Sequence, residues 1–110
     1  MVLNIYVDEQ VYELDVPEFV IDEAEEMFAG MDRDMDQGWQ MSRTWIQNPD
    51  RVNRCQITAD KLLTALQNEN EKLGMLMAGY IVKRMPGVTG IRMSTEGDML
   101  EHELLFDNQG

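Results

Sequence analysis

Asp32, Asp34 and Asp36 stand at alternate positions and are followed by Gln37 and Gly38. Carboxylates in that spacing can wrap a hard divalent cation in oxygen ligands, so a calcium-like site on these three residues is one expectation. Two departures weigh against it. Gln37 occupies the place where such a loop turns on glycine, and Arg43 stands where its closing bidentate glutamate belongs. Arg33 adds a positive charge inside the segment. Read without a metal, the three aspartates are the polar side of a helix end.

His102 is the sole histidine, and alternation places it with Leu100, Leu104 and Phe106. A small enzyme would use it as a base beside Glu101 or Glu103. The plainer reading is a buried imidazole satisfied by the backbone. The serines, Ser42 and Ser94, lack the Gly-x-Ser-x-Gly setting of a nucleophile elbow. Gly87 to Gly90 lacks the ending of a phosphate-binding loop. Cys55 is the one cysteine and falls on an apolar helical stripe, where a thiol is inert. No cofactor is called for, and an enzyme is not the favoured class.

Trp39 to Ile46 is the most distinctive segment. On a helix its two tryptophans would point about 120° apart, so either one enters the core while the other anchors a partner, or both close the core under a loop. Arg43 can stack on either ring. Trp39, Arg43, Trp45 and Ile46 are therefore the candidate partner-binding residues. Met27, Met31, Met35, Met75, Met77 and Met85 serve either as core filler or as an adaptable interaction surface.

These residues need elements to hold them. Leu3, Ile5 and Val7 alternate, as do Tyr12, Leu14 and Val16, which predicts two antiparallel strands over about 2–7 and 11–16. Pro17 can open a helix, and apolar residues then recur at helical spacing from Val20 to Ile46. The spacing predicts one helix to about Gln47, or two broken near Gly38, with the break preferred. Asn48-Pro49-Asp50 is a boundary, with Asn48 capping and Pro49 opening the next helix. Apolar stripes predict helices through Leu66 and from Leu73 to Met85, stopped by Pro86-Gly87. Alternation returns at Ile91 and Met93 and again from Leu100 to Phe106, around a turn at Thr95 to Asp98. Asp107 to Gly110 reads as a frayed polar tail.

The expected architecture is a single α+β domain over residues 1–110. Its N-terminal and C-terminal β-hairpins form one antiparallel sheet, with two to four helices packed on one face.

The chain has 110 residues and a formal charge of -12. Residues 1–40 hold twelve acids and one base, residues 41–95 four acids and eight bases, and residues 96–110 five acids and no base. If the hairpins share a sheet, Glu13, Asp15, Glu101 and Glu103 gather on its outer face. That face is either solvated or offered to a basic partner. The acidic balance argues against direct nucleic-acid binding, since phosphate contacts want Lys or Arg. The middle segment keeps Arg43, Arg51, Arg54 and Lys61 for an anionic partner or the acidic ends of a dimer mate. No stretch is long and apolar enough to span a bilayer, and Met1 to Glu9 does not read as a secretory signal.

The broad apolar surface of the first helical segment points to burial against a second copy, and twofold dimers are the commonest oligomers. The resulting expectation is a small cytoplasmic protein of bacterial type. It acts in interaction or regulation, works as a homodimer and binds a protein partner.

Overall fold

The computed structural model describes residues 1–106; the polar tail expected at Asp107 to Gly110 lies outside the described residues. The chain opens with two strands, β1 (Val2–Val7) and β2 (Gln10–Asp15), which pair antiparallel from Val2–Asp15 to Val7–Gln10. Asp8 takes a left-handed φ of 53° in the two-residue turn between them. Short Asp side chains tolerate that region, so the hairpin closes without the Asn-Gly pair usual there. Leu3 and Ile5 point inward and are fully buried, as the alternation requires.

Helices α1 (Glu18–Glu23) and α2 (Glu25–Asp36) come next, separated by a single residue, Ala24. The preferred break at Gly38 is real, because Gly38 leaves the helical region with φ 101°. The segment beyond it differs from the expectation. Residues that matched a helical spacing form a small hairpin, β3 (Trp39–Met41) and β4 (Thr44–Ile46), as a separate two-stranded sheet. Trp, Thr and Ile favour extended backbone, and over so short a segment they fit a period of two as well as one of 3.6.

Two longer helices, α3 (Arg51–Gln67) and α4 (Glu71–Arg84), form a packed pair. Asp50, rather than Asn48, caps α3, its carboxylate accepting from the Asn53 amide at 2.8 Å. Asn48 instead adopts φ 51° and turns the chain, and Pro49 is buried before the helix begins. Asn70 caps α4 by accepting from the Leu73 amide at 3.2 Å.

The chain then returns through β5 (Val88–Met93) and β6 (Glu103–Phe106), giving a four-stranded sheet in the order β2-β1-β5-β6. The α+β arrangement is as expected, with both terminal segments in one sheet and helices packed on it. The sheet is mixed rather than wholly antiparallel, because β1 and β5 run parallel from Asn4–Gly90 to Val7–Met93. Helix α4 sets that direction by delivering the chain to the same end of the sheet where β1 starts; side-chain alternation specifies a strand's face and says nothing of its direction. The last strand is also shorter than the alternation from Leu100 suggests. Met99–Glu101 is a 3-10 turn, capped by Asp98, which accepts from the Leu100 amide.

Between sheet and helices lies one hydrophobic cluster that includes Leu3, Ile5, Phe28, Leu62, Tyr80, Ile81 and Ile91. On the opposite face of the sheet the central joint is tight. A Cβ at Gly90 would sit 2.7 Å from the Asn4 carbonyl oxygen of β1 and 3.2 Å from the Tyr6 ring. Gly90→Ala should therefore push the two hairpins apart and destabilise the fold by about 1–3 kcal/mol, the usual cost of overpacking. Thermal unfolding of the variant checks this; an unchanged midpoint would mean that the parallel joint has room to spare.

Candidate functional site

Residues expected to bind a partner come together on the β3–β4 hairpin. Trp39 pairs with Ile46, Gln40 with Trp45 and Met41 with Thr44. Residues opposite each other in a hairpin share a face, and successive residues alternate. Trp39, Met41, Thr44 and Ile46 thus share the inward face, where Met41 is fully buried. Gln40 and Trp45 share the outward one, and Trp45 is 55% exposed. Of the two readings, the structure takes the one that separates the tryptophans, with Trp39 packed against the core and Trp45 in solvent on opposite faces of a ribbon. Trp39 is half-buried and carries the Lys61 ammonium 5.0 Å from its ring centroid, a cation–π contact. Arg43 is exposed in the turn.

The hairpin is anchored at both ends. At its base, the Trp45 indole lies across Gly38, and any side chain there would collide with the ring. At its tip, the Ser42 hydroxyl donates to Asp98 at 2.9 Å and accepts from the Met99 amide at 3.0 Å. Asp98 therefore ties the hairpin tip to the loop between β5 and β6.

The aspartates read as a possible cation loop lie within α2, and they do not converge. Asp32 and Asp36, four residues apart, share one side of the helix, while Asp34 projects from the other and is exposed. Asp36 accepts from Arg54 at 2.6 Å. Asp32 accepts from Arg84 Nε at 2.9 Å and from the Tyr80 hydroxyl, and Arg54 lies 3.6 Å away. Arg84 also forks onto Glu25 at 3.0 and 3.1 Å, with Lys83 at 3.3 Å. Among the described residues no group of three His, Cys, Asp or Glu is placed to hold a metal ion. The calcium-like reading is corrected accordingly: arginine guanidinium groups occupy the place of a cation.

This cluster has marked electrostatics. Burial first, and then the Asp32 carboxylate, push the Tyr80 phenol well above its ordinary 10, so it stays a donor. The Arg84 hydrogen bond holds Glu25 below its ordinary 4.5, outweighing the opposing effect of burial, with Lys83 adding to it. Cys55 is buried, and desolvation pushes its thiol up to about 12, which leaves it unreactive at neutral pH.

His102 is nearly fully buried. Its Nδ1 accepts from the Ser94 amide at 2.9 Å, and its Nε2 lies 3.1 Å from Asp60 Oδ1. A backbone amide can only donate, so Nδ1 is bare and Nε2 carries the hydrogen that it donates to Asp60. Both nitrogens are engaged. The imidazole fastens α3 to the end of β5 and has no free lone pair for proton abstraction.

Nor does the acidic face form one patch. Glu13 and Asp15 lie on β2 and Glu103 on β6, the two opposite edges of the sheet. Arg92 on β5 pairs with Glu103 at 2.9 Å, and Glu101 sits on the 3-10 turn, accepting from the Ser94 hydroxyl. The methionines divide too: Met35, Met77 and Met85 fill the core, Met31 and Met75 are half-buried, and Met27 is exposed.

Glu25, Tyr80, Arg84, Asp60 and Asp98 are absent from the sequence-based candidates. Glu25, Asp32 and Asp36 fall within about 40° of one another on a helix, and Tyr80 and Arg84 are four apart, so a search for polar stripes would have found the cluster. Nothing local signals the Asp60–His102 or Ser42–Asp98 pairs. No protein-family model, curated protein or solved structure matches the chain. Its function has to be read from its own surface.

Two measurements probe the charged cluster. Asp32→Asn leaves Arg84 and Arg54 without their shared counter-charge and should cost about 1–3 kcal/mol in urea unfolding at neutral pH; an unchanged urea midpoint would contradict the coupling. Glu25 is held below its ordinary value, so its charge stabilises the fold fully above pH 4.5, and that contribution is lost as pH falls through the folded-state value. The stability gap between the native chain and Glu25→Gln should accordingly be widest at neutral pH and close below pH 4.5. A constant gap would remove Glu25 from the acid response.

Proposed function

We propose that this chain is a small interaction or regulatory protein that works as a homodimer and binds a further protein, with the outward face of the β3–β4 hairpin as a contact surface. The observation that carries this reading is Trp45. A large aromatic side chain more than half exposed is costly to leave in water, and Trp is among the residues that contribute most when buried at interfaces. Its setting also suits recognition. Gly38 below and the Ser42–Asp98 anchor at the tip fix the hairpin, so little conformational freedom is lost when a partner covers it. Arg43 stands beside it in the turn as a polar rim residue.

Phe19, 63% exposed on α1, and Met27, 38% exposed on α2, are further large apolar side chains outside the core. Large apolar side chains outside the core on three separate elements fit a chain that meets other chains. The proposal places the protein in the cytoplasm, in keeping with a lone, buried cysteine. No helix among the described residues is long and apolar enough to cross a membrane.

Sedimentation equilibrium at micromolar concentration tests the proposal. The native chain should run at dimer mass. Trp45→Ser should shift it towards monomer, because an interfacial tryptophan is worth about 2 kcal/mol or more, while the circular dichroism spectrum stays native. A native chain that is monomeric throughout would overturn the homodimer. A Trp45→Ser protein with undiminished self-association would remove the hairpin from the contact.

A further inference from the structure

The sheet ends at β2 on one side, and its free edge faces a groove. Tyr12 and Leu14, the inward-pointing residues of β2, form one wall. Leu66 near the end of α3 and Gly74 and Met75 at the start of α4 form the other. The groove measures about 450 Å³ and is lined mainly by apolar atoms. Val11, on the outer face of the same strand, is 60% exposed. An edge strand carries a row of backbone N–H and C=O groups directed away from its neighbour, ready to pair with another strand. A strand added there would lie about 4.8 Å outward and send every second side chain into the groove.

Charge decides what that strand is. Glu69 and Glu71 line the groove, and Glu13 lies on the outer face of β2. None of the three has an ion-pair partner among the described residues. A second copy of β2 is the wrong occupant. Antiparallel self-pairing that keeps apolar residues inward is centred on either Tyr12 or Glu13. The second sets Glu13 opposite itself, and the first, whose outermost pair runs into the turn at Glu9, still brings further carboxylates and no basic residue to this edge. Like charges directly opposite each other are destabilising.

We infer that the β2 edge accepts an extended segment of a partner protein as a fifth strand, one with apolar side chains at alternate positions and lysine or arginine between them. The apolar positions enter the groove between Leu14, Leu66 and Met75. The basic positions point to the other side of the sheet and meet Glu13, while Glu69 and Glu71 at the groove add negative potential that attracts a basic segment. This is strand addition, in which main-chain hydrogen bonds give affinity and alternate side chains give specificity. It uses a surface apart from the Trp45 hairpin and stands whether or not that hairpin makes a dimer.

The test is a nuclear magnetic resonance titration of the full chain with a synthetic peptide of about eight residues, alternating lysine and valine. Amide shifts should concentrate on Gln10 to Asp15 and Leu66 to Met75. A peptide of the same sequence with alternate amides N-methylated on the pairing edge should lose binding. Glu13→Gln on the exposed outer face should weaken binding by about threefold with the fold intact, as one solvent-exposed ion pair allows. Any of four results would overturn the inference: no binding; equal binding of an aspartate–valine peptide; shifts centred on β6 or the β3–β4 hairpin; or a β2 edge already occupied by a second copy.

Discussion

Helix α2 is fastened to the molecule along two adjacent stripes, and the ion-paired one determines where it sits. Phe28 and Met35 form the apolar stripe and are buried. Beside it Glu25, Asp32 and Asp36 meet Arg84, Lys83 and Arg54. Asp32 is the hub, because it is the one carboxylate that reaches both α3 and α4. Arg84 is shared between Asp32 and Glu25, and its guanidinium lies over the rings of Phe28 and Tyr80, at 5.9 and 5.4 Å. Those two rings meet edge to face, with centroids 5.7 Å apart. The cluster is partly shielded from water, so its hydrogen bonds and charges act together and are worth more than solvent-exposed pairs.

The position of α2 in turn fixes the hairpin beyond it. The helix ends at Asp36, and Gly38 just beyond it starts the β3–β4 hairpin with its left-handed backbone and, lacking a side chain, makes room for the Trp45 ring. Asp32 and Asp36, two of the aspartates that looked like cation ligands, thus hold the base of the surface proposed for binding. Arg54, one of the cations expected to be free for an outside partner, is spent on Asp32, Asp36, Asn48 and the Pro49 carbonyl. Much of the contrast between acidic ends and basic middle is settled within one chain. The carboxylates left over on β2 and around the α3–α4 turn give the free sheet edge its sign.

How much of this was legible depends on the range of the interaction. The strands near both termini, the capped helices and the apolar stripes follow from local spacing. Inward alternation at Leu3, Ile5 and Ile91 predicted buried positions that are fully buried. The split between Trp39 and Trp45 was one of two open readings, since their spacing also allowed both rings to close the core. The helical reading of Trp39 to Ile46 failed because few residues there distinguish a period of 3.6 from one of two. The parallel sense of β1 and β5 was invisible, since a strand's pattern has no direction. His102 was placed on its apolar face correctly, while its partners Asp60 and Ser94 lie 42 and 8 residues away and carry no signature near it.

By itself the sequence determined the α+β class, the positions of most helices and strands, the buried faces and the excess of negative charge. Those are properties of near neighbours, governed by backbone preference and the burial of every second or every third to fourth side chain. Tertiary structure alone decided that Asp32 faces arginines instead of a cation, that His102 has no free nitrogen, and that Glu13 and Glu103 sit on opposite edges of one sheet. Each of these depends on groups far apart in the chain being brought within hydrogen-bonding distance or held apart. That outcome is set by how the helices pack on the sheet, which no short window of residues contains.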